Sequence, residues 1–595
     1  MPDSGLPLVL PGDAGATGSS PQWMVAAACM AIAVPALLAF NQPPSATFLN
    51  QGFAIVGWGG LLVLLAQGVT WPRTEWRDGL NALCAALALL GAASIGSCLW
   101  TALPSALGLS ALGLIAGAAL TALAGAAAAK AGHDTAWFRV VCAALVLAGA
   151  LSAAVGIVQV FAPNWSEGDW IAAAGQPGRA SGNLRQPNHL SSLLLWSVIA
   201  VAWLAESGRL RRGVAVALAG LFVFGIVLSA SRTGIVGVVM LALWALLDAR
   251  LSRPTRALLL MAPVLYVVFW FGMAAWAHES HQVFGGEARM TAEGDISSSR
   301  FAIWANTLSL IAQHPWLGVG FGEFNFAWSL TPFPHRPVAF FDHTHNLPLQ
   351  FAVELGLPLA ALVLALLGYA LWRAFVAGRD APGPQGLLRR AAFMMVLMMA
   401  VHSQLEYPLW YAYFLLPTAF VFGLCLGGGS AGFSESPPVR VRFGARPLVL
   451  ASMLMMAGGL LAILDYQRVV AIFAPADDAP PLEQRIADGQ HSWFFAHHAN
   501  YAAATTNESS PDTLPAFAVA THYLLDTRLM MAWATAFDEA GDVERARYIA
   551  QRLREFRNDD ALPFFAPCDQ PVQLDEPLPF QCTPPTRALD YRDFR

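Results

Sequence analysis

Charge is what this sequence has least of. Only 12% of its 595 residues are charged, against 56% hydrophobic. Soluble domains carry roughly 25% charged residues, so the deficit excludes an ordinary water-soluble enzyme. Lysine is nearly absent: Lys130 is the single one among 34 basic residues. No function follows from that preference. The net charge of −5 offers no basic surface for nucleic acid. Cysteine is sparse too, and its seven positions show no CxxC or Cys/His metal spacing. Cys29, Cys84, Cys98, Cys142 and Cys425 lie in apolar runs and read as small core residues. No Lys or Arg precedes the first apolar stretch, which argues against a cleaved signal peptide. The first span is therefore expected to be retained.

What the chain has instead is apolar runs long enough for a bilayer. A helix needs about 20 apolar residues to cross a hydrocarbon core about 30 Å thick. Runs that qualify lie at 23–40, 52–69, 79–101, 105–129, 137–162, 188–205, 213–230, 233–249, 257–277, 346–372, 389–405, 408–428 and 447–466. Residues 213–247 hold one charge, Arg232. A single helix there would run about 52 Å, so a tight turn near Ser231-Arg232-Thr233-Gly234 is expected. Thirteen spans with a cytoplasmic N-terminus put 17 basic residues in cytoplasmic loops, 6 in outer loops and 11 in the C-terminal tail. That distribution fits the positive-inside rule.

The expectation is an all-α polytopic protein of the bacterial inner membrane, with about 13 (12–14) transmembrane helices. Residues 1–22 form a cytoplasmic N-terminus and 23–277 the first nine spans, with an outer loop at 163–187. Residues 278–345 form a large periplasmic loop, 346–466 the last four spans, and 467–595 a mostly helical periplasmic domain. Within that domain, 530–557 reads as two amphipathic helices around Ala540-Gly541-Asp542. Cys568 and Cys582 share this compartment. They are either a disulfide or two free thiols, since sequence does not give their distance.

Polar residues gather on the proposed outer side. Arg232 interrupts an apolar run, where a charge costs at least ~2.5 kcal/mol. It either snorkels at a helix end or faces an anion. The segment GRASGNLRQPNHL, from Gly178 to Leu190, brings Arg185, Gln186, Asn188 and His189 to the mouth of the sixth span. It is either a capped polar loop or, with a helix N-terminus beside guanidinium, a phosphate receptor. The glycines of WLGVGFG, Trp316 to Gly322, lack a surrounding βαβ unit and suit close turns. His343 and His345 stand before the tenth span without a third ligand at metal spacing. A proton-accepting role suits them better; two polar interfacial residues are the alternative. His402, Glu406 and Tyr407 fall in HSQLEYPLWYAY, whose Trp410 and Tyr411 read as an interfacial aromatic belt. Arginines, amides, histidines and an acid on one side match a lipid-anchored phosphate with a polar head, the arginines stabilising the phosphate as a leaving group.

At these residues the chain resembles the O-antigen ligase and polymerase superfamily, and within it the PglL-type O-oligosaccharyltransferases. The resemblance covers roughly 170–470. It is carried by GRASGNLRQPNHL, SRTG (231–234), SRFAIWANTLSLIAQHPWLGVGFG (299–322), DHTHNLPLQFAVELG (342–356) and HSQLEYPLWYAY (402–413). It implies an inverting, metal-independent and cofactor-free glycosyltransferase. The donor would be an undecaprenyl-diphosphate-linked glycan and the acceptor a Ser or Thr hydroxyl of a pilin-like protein. The alternative acceptor is lipid A core; a polymerase ranks lower, and so does a lipid-linked glycan transporter, the latter because mid-span polar residues are few. The family's essential histidine falls on His345. Its arginines fall on Arg232 and Arg300, with Arg185 and Arg289 as further candidates for the diphosphate. The expected site lies between loop 163–187, the turn at Arg232 and the segment ending at His345.

Overall fold

A computed structural model describes residues 22–69, 79–291, 296–338, 340–427, 446–506, 511–570 and 578–595. Regular structure among them is helical throughout. In chain order the first helices are α1 (Gln22–Leu37), α2 (Phe48–Ala66), α3 (Gly79–Trp100), α4 (Ser105–Lys130), α5 (Asp134–Phe161), α6 (Pro187–Glu206), α7 (Arg212–Leu228), α8 (Arg232–Leu247) and α9 (Arg253–Ser280). Then come α10 (Gly285–Thr291), α11 (Ile296–Gln313), α12 (Phe324–Leu330), α13 (Leu347–Leu355), α14 (Leu357–Asp380), α15 (Gly383–His402), α16 (Ala412–Gly427) and α17 (Arg446–Phe473). The C-terminal region holds α18 (Leu482–Gln490), α19 (Ala496–Thr506), α20 (Leu514–Ala520), α21 (Thr527–Glu539) and α22 (Val543–Phe556), with short 3-10 turns beyond.

Each apolar run read from the sequence contains helix, and among the described residues eight helices are long and apolar enough to cross a membrane: α2, α3, α4, α5, α6, α9, α14 and α17. Helices α1, α7, α8 and α16 are apolar but shorter. Two expectations need correction. The tenth run, read as one span over 346–372, is broken at Gly356 into α13 and α14. The segment 278–345, read as a loop, carries α10, α11 and α12. Seven residues each in α10 and α12 are too few to show a helical period, and the eighteen of α11 are less apolar than the eight helices named above.

The chain divides into two compact units. The first comprises Met1–Ala85, Ala116–Ala292 and Leu366–Leu461; the second comprises Ala86–Ile115, Glu293–Ala365 and Ala462–Arg595. In the first, α6 is buried along nearly its whole length, as expected of a helix apolar on all sides. Small residues let its neighbours approach: a Cβ at Gly149 would stand 2.2 Å from Ser197 Oγ. The expected turn separates α7 from α8. Ala230 has φ +48°, and the Ser231 hydroxyl accepts from Gly234 N at 3.0 Å as the N-cap of α8.

In the second unit, α11 and α12 share one core with the C-terminal helices. Phe324, Phe326, Trp328, Phe517, Trp533 and Phe556 are its large members. Arg336 lies inside this core. Its guanidinium sits 4.5 Å from the Phe556 ring centre and 4.9 Å from that of Trp328, and its Nε is 3.3 Å from Glu555. Burial pushes it down to about 10, against the pull of Glu555. It is one of the outer-loop arginines of the sequence count, and its work here is structural. The amphipathic pair expected at 530–557 is α21 and α22, joined at Gly541 with φ +82°. Cys568 and Cys582 are disulfide-bonded, with Cα atoms 5.2 Å apart.

Candidate functional site

Three motifs that lie far apart in sequence meet in the first unit. Gln186 caps α6, its amide oxygen accepting from His189 N at 3.0 Å, and Pro187 occupies the first turn. That fixes Asn188 and His189 at the helix mouth. Asn188 Nδ2 donates to Glu406 Oε1 at 2.9 Å. Asn188 Oδ1 accepts from the Ser231 hydroxyl at 2.7 Å, and Ser191 Oγ donates to Ser231 Oγ at 3.0 Å. His189 Nδ1 lies 2.9 Å from the Tyr413 hydroxyl, and His402 Nδ1 lies 2.8 Å from Ser192 Oγ. Nearly every group in this network is buried. A polar group left unpaired in such a place costs several kcal/mol, so satisfaction on this scale locks the starts of α6 and α8 to the Glu406 segment.

Arginines gather around the α8 start. Arg232 is exposed in its first turn. Arg289 Nη1 donates to Ala230 O at 2.9 Å. Arg179 Nε donates to Ser229 O at 2.9 Å. The last two therefore hold the carbonyls just beyond the end of α7, at its cap and the residue after it. Arg185 takes a left-handed backbone, φ +58°, and donates through Nη2 to Ala39 O at 2.7 Å. Burial lowers the pKa of its guanidinium, so an anion there would relieve desolvation. One detail of the sequence reading changes: Gln186 and Ser231 already occupy N–H groups at the two helix starts. An anion would bind through guanidinium and helix field rather than through a bare helix N-terminus.

Arg300, His343 and His345 lie in the second unit. Arg300 is half-buried on α11. His345 immediately precedes the cap of α13 in a left-handed backbone, φ +55°, which a non-glycine residue adopts only when its surroundings enforce it. The enforcing contacts surround Thr344. Its N–H donates to Gln350 Oε1 at 2.8 Å, and its carbonyl accepts from Trp304 Nε1 at 2.9 Å. Its hydroxyl donates to Asn346 O at 2.8 Å. Gln350 is held in turn by Glu354 Oε1, 2.9 Å away, and Asn346 Oδ1 caps Leu349 N at 3.0 Å. The His345 ring meets Phe341 edge to face at 5.5 Å.

His343 Nδ1 lies 3.1 Å from Asp342 Oδ1. Burial would lower the His343 imidazole, but Asp342 outweighs it and raises it. Burial would raise the Asp342 carboxyl, but His343 and then His345 hold it down at about 2. Among the described residues no three His, Cys, Asp or Glu side chains gather as metal ligands.

Sequence reasoning missed Asp342, Thr344, Ser231, Tyr411 and Tyr413 as site residues. Tyr411, read as belt, packs its ring 4.5 Å from that of His189, and Tyr407 stacks on Tyr411 at 6.2 Å. An aromatic at a bilayer boundary has the same sequence signal whether it faces lipid or protein. Ser231 was legible only as a helix start.

Family comparisons fall on these residues. The model described as O-Antigen ligase matches residues 215–364. One described as Protein glycosylation ligase matches 180–205, and one described as Virulence factor membrane-bound polymerase, C-terminal, matches 390–563. A general O-oligosaccharyltransferase of Acinetobacter baylyi is 28% identical over 273 residues, covering 44% of this chain and 46% of its own. A ComP-specific O-oligosaccharyltransferase of the same organism is 26% identical over 298 residues, covering 48% of this chain and 50% of its own. The chain spans about half the length of the curated relatives it matches.

Proposed function

The chain belongs to the O-antigen ligase superfamily, in its PglL-type branch, and from that premise we propose that it transfers a glycan from an undecaprenyl-diphosphate carrier to a Ser or Thr hydroxyl of a protein such as a pilin. The reaction takes place at the periplasmic face of the inner membrane. The observation that carries this reading is that the protein glycosylation ligase match over residues 180–205 includes Asn188, which joins Glu406 and Ser231 in one buried network.

In this reading His345 is the general base. The acceptor oxygen attacks C1 of the glycan from the side opposite the diphosphate, the C1–O bond to phosphate breaks, and the hydroxyl proton passes to the imidazole. Configuration inverts. Arg232, Arg185, Arg289 and Arg300 bind the diphosphate and stabilise the charge it gains on leaving. The backbone locked at φ +55° prepays the orientation of His345. No metal takes part.

The test is transfer from a purified lipid-linked glycan to a pilin-like protein, followed by mass spectrometry, with and without EDTA. Glycosylated Ser or Thr is expected, insensitive to EDTA. His345→Ala should lower the rate by roughly 10²–10⁴-fold, the usual worth of a positioned base, while the protein still inserts and unfolds at the wild-type temperature. Near-normal turnover in that variant would reject the base role. The O-antigen ligase match over 215–364 favours lipid A core as the second acceptor to try. Transfer to it alone would reassign the substrate.

A further inference from the structure

The C-terminal domain is tied through α12 to the segment that carries His345. The link is Asn325, on α12 and 5% exposed. Its Nδ2 donates to Phe341 O at 2.8 Å, one residue before Asp342. Its Oδ1 accepts from Leu525 N at 2.9 Å, two residues after Tyr523. One buried amide thus pins both segments. A second link lies beside it. His522 Nδ1 is 2.9 Å from the Glu323 carboxylate, and its ring stacks on Phe326 at 4.6 Å. Glu323 and His522 are both buried, so the 521–525 turn is held where α12 begins.

Tyr523 follows His522 and differs from it: it is 41% exposed. One face of its ring rests on His497, 4.1 Å between centres, and the edge of His498 closes in at 4.8 Å. His497 and His498 are themselves buried. Tyr523 is thus an aromatic plate with a rigid backing and an open side. The core of the domain needs no such residue, because a buried phenylalanine would pack as well. Asp342, 47% exposed, supplies a carboxylate in the same neighbourhood. The covered side of the ring first and Asp342 second push the Tyr523 phenol up to about 12.

We propose that Tyr523 is a glycan-contacting residue beside the His345 segment, its ring packing on a pyranose face while Asp342 accepts from sugar hydroxyls. An aromatic face is negative and attracts the polarised C–H groups on one side of a sugar ring, and an ionised carboxylate accepts hydroxyl donors with charge-assisted strength. A protein acceptor or a bare diphosphate uses neither feature so directly. This inference rests on the glycan-transfer reading above and names a subsite within it.

The test uses the full-length protein in detergent with two probes: the lipid-linked glycan and undecaprenyl diphosphate without a glycan. Tyr523→Ala should raise the KM for the glycan-linked donor about tenfold, the worth of one lost contact. Its affinity for bare undecaprenyl diphosphate and its KM for the acceptor should be unchanged. Tyr523→Leu, which keeps bulk on His497, should behave like Tyr523→Ala and keep the wild-type unfolding temperature. Tyr523→Phe should retain most of the affinity. An unchanged donor KM in Tyr523→Leu, or an effect confined to the acceptor KM, overturns the proposal. If the wild type itself transfers nothing, the function is wrong; if it transfers and Tyr523→Leu matches it, only the subsite is wrong.

Discussion

Asp342 and His343 stand 3.1 Å apart beside the proposed base, and each moves the other's titration. His345, Glu354 and Tyr523 also bear on the pair electrostatically. The raised His343 contributes stability that is complete below its unfolded value, about 6.5, and is lost as pH climbs through the raised folded value. The depressed Asp342 contributes stability present above about 3.9 and lost as pH falls to about 2. The pair is therefore strongest between about pH 4 and 6.5. Asp342 is half exposed, so screening keeps its worth under about 1 kcal/mol. Thermal unfolding of wild type and Asp342→Asn, run from pH 5 to pH 9, should show a gap that is widest near pH 5 and closes toward pH 9. A gap independent of pH would remove the ion pair from the account. Little of this was legible in DHTHN. The sequence marks two histidines, but which one meets the aspartate and which takes a left-handed backbone depends on Trp304, Gln350 and Glu354, which hold Thr344 between them.

Elements were easier to read than their breaks. Apolar composition located the helices because nothing else sustains runs of that length, and Ser231 was placed because a single helix over 213–247 would be too long. The break at Gly356 escaped because its cause is distant in sequence. Gly356 has φ +76° and ψ 161°, a region open essentially to glycine alone. It lets the end of α13 lie against the WLGVGFG turn. Val319 N donates to Val353 O at 2.8 Å, Gly320 N to Glu354 O at 3.0 Å, and Leu357 N to Pro315 O at 2.8 Å. A Cβ on Gly356 would stand 2.3 Å from Trp316 O. Backbone strain of about 1–3 kcal/mol adds to that clash, so Gly356→Ala should lower the unfolding temperature markedly and reduce transfer by displacing α13 and the His345 segment at its start. Gly368→Ala is the matched control. Gly368 lies inside α14 with open space around its Cβ position, where alanine is worth up to about 1 kcal/mol in helix propensity. Equal unfolding temperatures for the two variants would refute the account of the break.

At the scale of the whole chain, the reading depends on which side of the membrane holds the C-terminal domain. Two independent features favour the proposed periplasmic side. Basic residues number 17 in the loops assigned to the cytoplasm and 6 in the opposite loops, and the last apolar helix, α17, leads directly into the domain. Cys568 and Cys582 are bonded, and such a bond persists in the periplasm but is reduced in the cytoplasm. The five other cysteines are free and lie in or beside apolar helices, so thiol chemistry can separate the two populations. Intact cells treated with an alkylating reagent, then denatured without reductant and labelled again, should yield Cys568 and Cys582 unlabelled. Reduction before the second label should expose both. An alkaline phosphatase fused after Arg595 should be active, and a green fluorescent protein at the same point should be dark. If both cysteines take the first label and the phosphatase fusion is silent, the domain lies in the cytoplasm. Tyr523 and the His345 segment share one compact unit with that domain. They would then be on the wrong side for a periplasmic acceptor, and the proposed transfer would fall with the topology.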